Sequence, residues 1–343
     1  MLFKENNSLY DLISKHRKEL MGIAALFVLF DHCWIRVFSD VPGLFEIEYF
    51  MKEYLGTFGV FVFIFLSGFG LPNSYKKNSL KNFYIKRFVR IYITYFAAII
   101  FYVLINKDSI TDFLQQITML TLFNNNYYPY LWFIPALFVL YLFFPLYYEF
   151  YNKTNNKVTF SIIFILIWCI FAFLFKNIDY EPLVRLIRII PIFVFGILSN
   201  DMLKKTKINI TLCMFLIFVS VFLFDTIENL LLSFSLTTYY YVFECSIFAV
   251  SFCSLYSYII EKLKDIKPVE IIAKVFKHIG NISLELYCFQ VIVELLIIEL
   301  LSSILGPVLT NITFLCVNII ISLFVKFCVD NIIKLFNNCK EAN

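Results

Sequence analysis

Long apolar runs alternate along this chain with short charged connections. Ten apolar segments stand out, near residues 20–38, 54–72, 88–106, 130–149, 158–175, 183–200, 208–225, 239–260, 279–301 and 308–329. Each approaches the roughly 20 residues that an α-helix needs to cross a hydrocarbon core of about 30 Å. In lipid the backbone polar groups must be satisfied within the segment, so runs of this length predict helices. The pattern predicts an all-α membrane protein. It is a bundle of about ten transmembrane helices, one domain over residues 1–343, with no separate soluble domain. The longest connection, about 107–129, holds an amphipathic stretch from Ile110 to Leu122, which predicts a short helix on the outer surface. No internal repeat is visible, and no small-residue cleavage site follows the first apolar run.

Charge orients the bundle. Basic residues in short flanks stay on the cytoplasmic side. With the N-terminus inside, 23 of the 29 Lys and Arg fall on one set of alternate flanks and 6 on the other. This predicts that both termini are cytoplasmic, and in a bacterium that the membrane is the cytoplasmic (inner) one. The net charge of +4 reads as topology, so no nucleic-acid partner is expected. Composition agrees: 61% of residues are apolar and 16% charged, against about 25% charged in soluble domains. Nine Cys form no CxxC pair, and only His32 among the three His lies inside a run, so no metal site is expected.

Polar groups inside spans are costly, which makes each a candidate for function. The first span holds Asp31, His32 and Arg36. An acid beside an imidazole, with a base one turn on, suits proton transfer near neutral pH. His32 lies about 12 residues past the inner end, roughly 18 Å deep. Ser67 in the second span is about as many residues from its outer end, which predicts similar depth. Arg87 and Arg90 are three apart at the start of the third span. They read either as a positive-inside anchor or as a phosphate clamp facing the cytosol. Arg185 and Arg188, also three apart, sit at the outer end of the sixth span before Pro191, which is expected to kink that helix and open a cleft. They read either as snorkelling residues or as part of an outward site for an anionic or sugar ligand. Glu244, Glu285, Glu294 and Glu299 are possible partners for buried Arg.

The stretch Arg17 to His32 resembles the opening of the acyltransferase-3 family of bacterial membrane acyltransferases. So do Gly59 to Gly70 with its Ser67-Gly68-Phe69, Arg87-x-x-Arg90, Leu131-Trp132-Phe133-Ile134-Pro135, Pro145 ending its span, Phe195-Gly196, and Gly280 to Tyr287. The resemblance implies an enzyme that moves an acyl group, usually acetyl from acetyl-CoA, onto a hydroxyl of a glycan or lipid-linked sugar. It implies that His32 is catalytic, and its Arg-x-x-Arg and Ser-Gly elements carry to Arg87, Arg90, Ser67 and Gly68, which are expected to bind the donor. The residues themselves suggest that Asp31 orients His32 and that Arg36, Trp132, Arg185 and Arg188 line an acceptor path. Acetyl-CoA would come and go as donor, with no resident cofactor, and glycan-synthesis proteins would be partners. Two positions depart from the family pattern. Met21 stands where many members have a base eleven residues before the His, with Arg17 and Lys18 a turn too early to substitute simply. Gln290 stands where many have a His. The rival reading is a proton-coupled exporter or flippase of a glycan or lipid, with His32 and the intramembrane Glu residues as a relay.

Overall fold

A computed structural model describes residues 8–32, 43–123, 131–175, 180–231 and 237–341. Among them there is no strand. The helices are α1 (Leu9–Lys15), α2 (Arg17–Asp31), α3 (Leu44–Lys76), α4 (Leu80–Asn106), α5 (Ile110–Ile117), α6 (Phe133–Lys153) and α7 (Lys157–Leu174). They continue as α8 (Glu181–Met202), α9 (Ile210–Leu231), α10 (Thr237–Leu263), α11 (Lys267–Asn281) and α12 (Ser283–Glu341).

Seven of these helices are long and apolar enough to cross a membrane, or eight if α11 with the first leg of α12, bent by 73° between them, is one span. The other two predicted spans are shorter among the described residues. α2 has 15 residues, and the apolar part of α9 is Ile210–Phe222. The long last helix is two legs, Ser283 to Leu305 and Pro307 onward, separated by Gly306 at φ 69°, ψ 172°. A positive φ before a proline is what only glycine takes cheaply, so the chain reverses there. Pro145 lies inside α6, which runs on to Lys153 rather than ending at it, and α8 is likewise continuous across the buried Pro191. Both prolines have helix on each side because neighbouring helices cover them. The stretch predicted as a surface helix is α5 followed by a 3₁₀ turn at Leu120–Phe123. It is tied down through its carbonyls: Tyr95 donates to Gln116 O at 2.7 Å, and Tyr180 donates to Thr121 O.

Backbone contact through glycines sets the helix pairing that matters for the site. α3 packs on α2, α8 and α10, and α2 packs on α11. A Cβ at Gly68 would stand 2.2 Å from Phe193 O, and one at Gly196 2.4 Å from Phe65 O. Without side chains at both positions, α3 and α8 cross in direct backbone contact, as small residues permit in membranes. The same holds where α2 crosses α11: a Cβ at Gly22 would be 2.0 Å from Phe276 O, and one at Gly280 1.8 Å from Lys18 O. At the start of α2, buried His16 bridges Glu19 (2.8 Å) and Glu261 (3.1 Å), and Lys15 and Lys264 also hold Glu261. This fixes α1, α2 and α10 together at the Lys-rich end.

Gly280→Val should push α11 off α2 and destabilise the detergent-solubilised protein by at least the about 1–3 kcal/mol typical of overpacking. A thermal midpoint indistinguishable from wild type would contradict the crossing described here.

Candidate active site

α2 ends at Asp31, and His32 is its C-cap. The next residues of the predicted first span, Arg36 among them, lie outside the described residues. His32 is 29% exposed, and its Nδ1 lies 3.2 Å from Glu294 Oε2 on the first leg of α12. Against an ionised carboxylate, which only accepts, the tautomer that makes this bond is the one with its proton on Nδ1, and that tautomer leaves the Nε2 lone pair free. Glu294 is thus the carboxylate set against the imidazole. Asp31 lies instead against α3, where Gly56 makes room: a Cβ there would be 2.6 Å from Asp31 Oδ2.

His32 and Asp31 open into a cavity of about 430 Å³. Its walls bring together elements far apart in sequence. Gly56, Thr57, Val60 and Phe61 come from α3, Trp132 from the entry to α6, Glu181, Arg185 and Arg188 from α8, and Tyr287 and Gln290 from α12. Arg185 donates from Nε to Glu181 Oε1 at 2.8 Å and lies over the Trp132 ring at 5.2 Å. Arg188 Nη1 is 3.6 Å from the same carboxylate oxygen. The pocket therefore offers a general-base nitrogen, an aromatic face and two guanidinium groups held by a single carboxylate. That mixture suits a polyhydroxylated ligand, with the ring stacking and the polar groups bonding hydroxyls. Two residues of the site are missing from the sequence-predicted set. Glu181 has a signal, since it precedes Arg185 by four and Arg188 by seven residues, one helical face. Glu294 reads from sequence as a partner for Arg or, in the rival reading, as a relay group, yet Tyr287, Gln290 and Glu294 share a face at spacings of three and four.

Ser67 is elsewhere. Gly56 marks the level of Asp31 on α3, and Ser67 is eleven residues farther along, about 16 Å. The expectation of equal depth with His32 is corrected: α3 begins at Leu44, ahead of the apolar run, and its register against α2 is set by Gly56 and Gly59. Ser67 is buried and receives a hydrogen bond from Tyr141 at 3.3 Å. Gly68 faces α8, sealed by Phe193 and Gly196.

Nearby, Gly70 accommodates the guanidinium of Arg17, which a Cβ would meet at 2.6 Å. Arg17 is buried with its Nε lacking a hydrogen-bond partner, and it lies within electrostatic range of Arg87 and Tyr141. Arg87 donates to Phe83 O at 3.1 Å and stacks on the Phe83 ring at 4.0 Å. No carboxylate stands within ion-pair distance of Arg17 or Arg87 among the described residues. Arg90 differs: Glu285 and Asp330 both hold it. Hence the Arg87–Arg90 pair divides, one member facing Arg17 and the other neutralised. Arg17 reaches this place although it lies a turn before the position where the family pattern has a base, because α2 meets α3 at Gly70.

Fold and site together define a multi-pass membrane protein with a histidine–carboxylate pair at a polar pocket inside the bundle. The sequence profile of the acyltransferase-3 family, described as an acyltransferase domain, matches residues 20–329. The chain belongs to this family of membrane acyltransferases. No curated protein and no solved structure matches it.

Two unneutralised guanidinium groups in low dielectric repel, and a buried unpartnered donor costs about 1–3 kcal/mol. Arg17→Met should therefore raise the thermal midpoint of the ligand-free protein, whereas Arg90→Met should lower it by stranding Glu285. Differential scanning fluorimetry in one detergent checks both signs.

Proposed function

We propose that this protein is a membrane-embedded O-acyltransferase that moves acetyl from cytosolic acetyl-CoA to a hydroxyl of a cell-surface glycan or its lipid-linked precursor. The observation that carries the reading is the Glu294–His32 pair opening on the Trp132–Arg185–Arg188–Glu181 wall. His32 Nε2 takes the proton of an acceptor hydroxyl as its oxygen attacks the thioester carbonyl. The tetrahedral adduct collapses, the C–S bond breaks, and the imidazolium returns the proton to the departing thiolate. Asp31 lines the same pocket as His32.

Ten crossings with both termini cytoplasmic complete the proposal, and the membrane is the bacterial cytoplasmic one. The Lys-rich end, where Arg17 and Arg87 lie, then faces the cytosol, and the His32 pocket opens toward the outside. The anionic groups of the donor fit Arg17 and Arg87, whose repulsion an anion relieves. Ser67 and Tyr141 lie beside the same end. Arg17 and His32 are the two ends of α2, about 22 Å apart. The pantetheine arm of a coenzyme A thioester is an extended chain suited to such a reach. On the acceptor side, Trp132 gives a stacking face for a sugar ring, and Arg185, Arg188 and Glu181 bond its hydroxyls. Arg36 belongs to the same proposed path by its place in the chain, four residues after His32. Proteins that make or present the glycan would be its partners.

Acetyl-labelled acetyl-CoA supplied to inside-out membranes should label the envelope glycan fraction with wild-type protein. His32→Ala should abolish that label, and Glu294→Gln should lower it by about 10²-fold or more, the range for a positioned general base. Wild-type labelling by His32→Ala would sink the mechanism. Glycan transport without any label would favour the exporter reading instead. Coenzyme A at a hundredfold excess over its Kd should stabilise the wild-type protein by about 2.7 kcal/mol. That thermal shift should disappear in Arg87→Met and Arg17→Met. A full shift in both variants would place the donor elsewhere.

A further inference from the structure

Arg90 spends its planar fork on two carboxylates from one helix. Nη2 donates to Glu285 Oε1, and Nη1 donates to Asp330 Oδ1 at 2.6 Å. Glu285 is completely buried on the first leg of α12, and Asp330 lies on the second leg, where Lys326 also bonds it at 2.9 Å. A single side chain of α4 therefore clasps both legs of the α12 hairpin. The next turns of the first leg carry the pocket residues Tyr287 and Gln290, and then Glu294. Glu294 follows Glu285 by nine residues, two and a half turns or about 13 Å. A packed helix transmits its rotation and axial position over that distance with little loss.

The clasp and the catalytic pair are thus two fixed points on one rigid leg. With Arg90 gone, Glu285 is a buried charge without a bonded cation, and only Lys326 stays within electrostatic range. That is strongly unfavourable, and the leg can relieve it by turning or sliding toward water. Either motion draws Glu294 away from His32. The other end of the leg terminates at the Gly306 break.

We infer that Arg90 is a positioning residue: through Glu285 it sets the rotation and depth of α12 that hold Glu294 on His32 Nδ1. This deepens the acyl-transfer reading and rests on it for its kinetic consequences. Donor binding falls to Arg87 and Arg17. Arg90 acts at a distance, because both arms of its guanidinium are already occupied by α12.

The test uses full-length protein in native membranes and two readouts. The first is the kcat and the KM for labelled acetyl-CoA in acetyl transfer to the envelope fraction. The second is the rate at which diethyl pyrocarbonate modifies His32, followed by peptide mass spectrometry, which needs no turnover. Arg90→Met should lower kcat about 100-fold, the loss expected for a displacement near 1 Å, with KM for acetyl-CoA within about twofold of wild type. Glu294→Gln should change the His32 modification rate, and Arg90→Met and Glu285→Gln should change it in the same direction. The double variant R90M/E285M removes the stranded charge as well as the clasp, so it should recover at least about tenfold of the lost kcat. Lys274→Met, exposed on α11, controls for nonspecific effects of losing a cation. The inference is overturned by a rise of about tenfold or more in KM at near wild-type kcat in Arg90→Met. It is equally overturned if Glu294→Gln changes the His32 rate while Arg90→Met and Glu285→Gln leave it at the wild-type value. Should Arg90→Met fail to fold, Glu285→Gln and the double variant decide. If wild-type membranes transfer no label, the acyl-transfer reading itself fails, and His32 modification alone decides the role of Arg90.

Discussion

A charged group inside a bundle surrounded by hydrocarbon persists only when something offsets its desolvation, and here α12 supplies that offset at two depths. Glu285 on its first leg meets Arg90 of α4, and Glu294 on the same leg meets His32 at the end of α2. Asp330 on the second leg closes on Arg90 as well. These pairs join helices that are distant in sequence, and they do so at defined depths. Helix packing in lipid has little hydrophobic drive of its own, so polar pairs and close glycine crossings have to specify position. The glycines at 22, 68, 196 and 280 bring backbones into contact, and the ionic pairs then fix which side chains meet.

The architecture was legible because it follows from one-dimensional rules. Apolar run length announces helices, and the described helices coincide with the predicted segments from Tyr54 to Leu263 in order. Chemical candidates were legible for a related reason: a His, an Asp and Arg residues inside apolar runs are conspicuous. Asp31, His32, Trp132, Arg185 and Arg188 do converge on one cavity. What failed was depth and pairing. Counting Ser67 inward from Tyr54 ignores the turns of α3 before the apolar run, and it ignores that Gly56 and Gly59 set the register against α2. The partner of each carboxylate depends on which helices are neighbours, and no spacing rule within one helix contains that. Glu181 is the exception, because its partners Arg185 and Arg188 share its own helix.

Arg17 shows how a helix crossing can replace a sequence position. Residues 17 and 21 are four apart, slightly more than one turn, so a base at either would project from nearly the same face of α2, one above the other. The absent Cβ at Gly70 lets the Arg17 guanidinium lie against α3 and approach Arg87 and Tyr141. The cation is supplied from one turn lower, and the neighbour gives way rather than the residue moving.

The two cationic regions of the bundle are neutralised differently, and the difference has a direction. Arg185 and Arg188 share the carboxylate of Glu181, and Arg90 has two carboxylates of its own. Arg17 and Arg87 have none among the described residues. Asp31 lines the same cavity, so with Glu181 it matches Arg185 and Arg188 charge for charge, and a polar pocket balanced in this way favours a neutral, hydroxyl-rich ligand, since such a ligand leaves the ion pairs intact. An unbalanced pair of guanidinium groups favours an anion, since only an anion removes their mutual repulsion. Under the proposed reaction the donor is the polyanion and the acceptor is the polyol. Under that proposal the charge pattern sorts the two substrates to opposite ends of α2. His32 would then stand at the polyol end, where it meets the hydroxyl directly, whereas the donor would deliver its acyl group on a long arm.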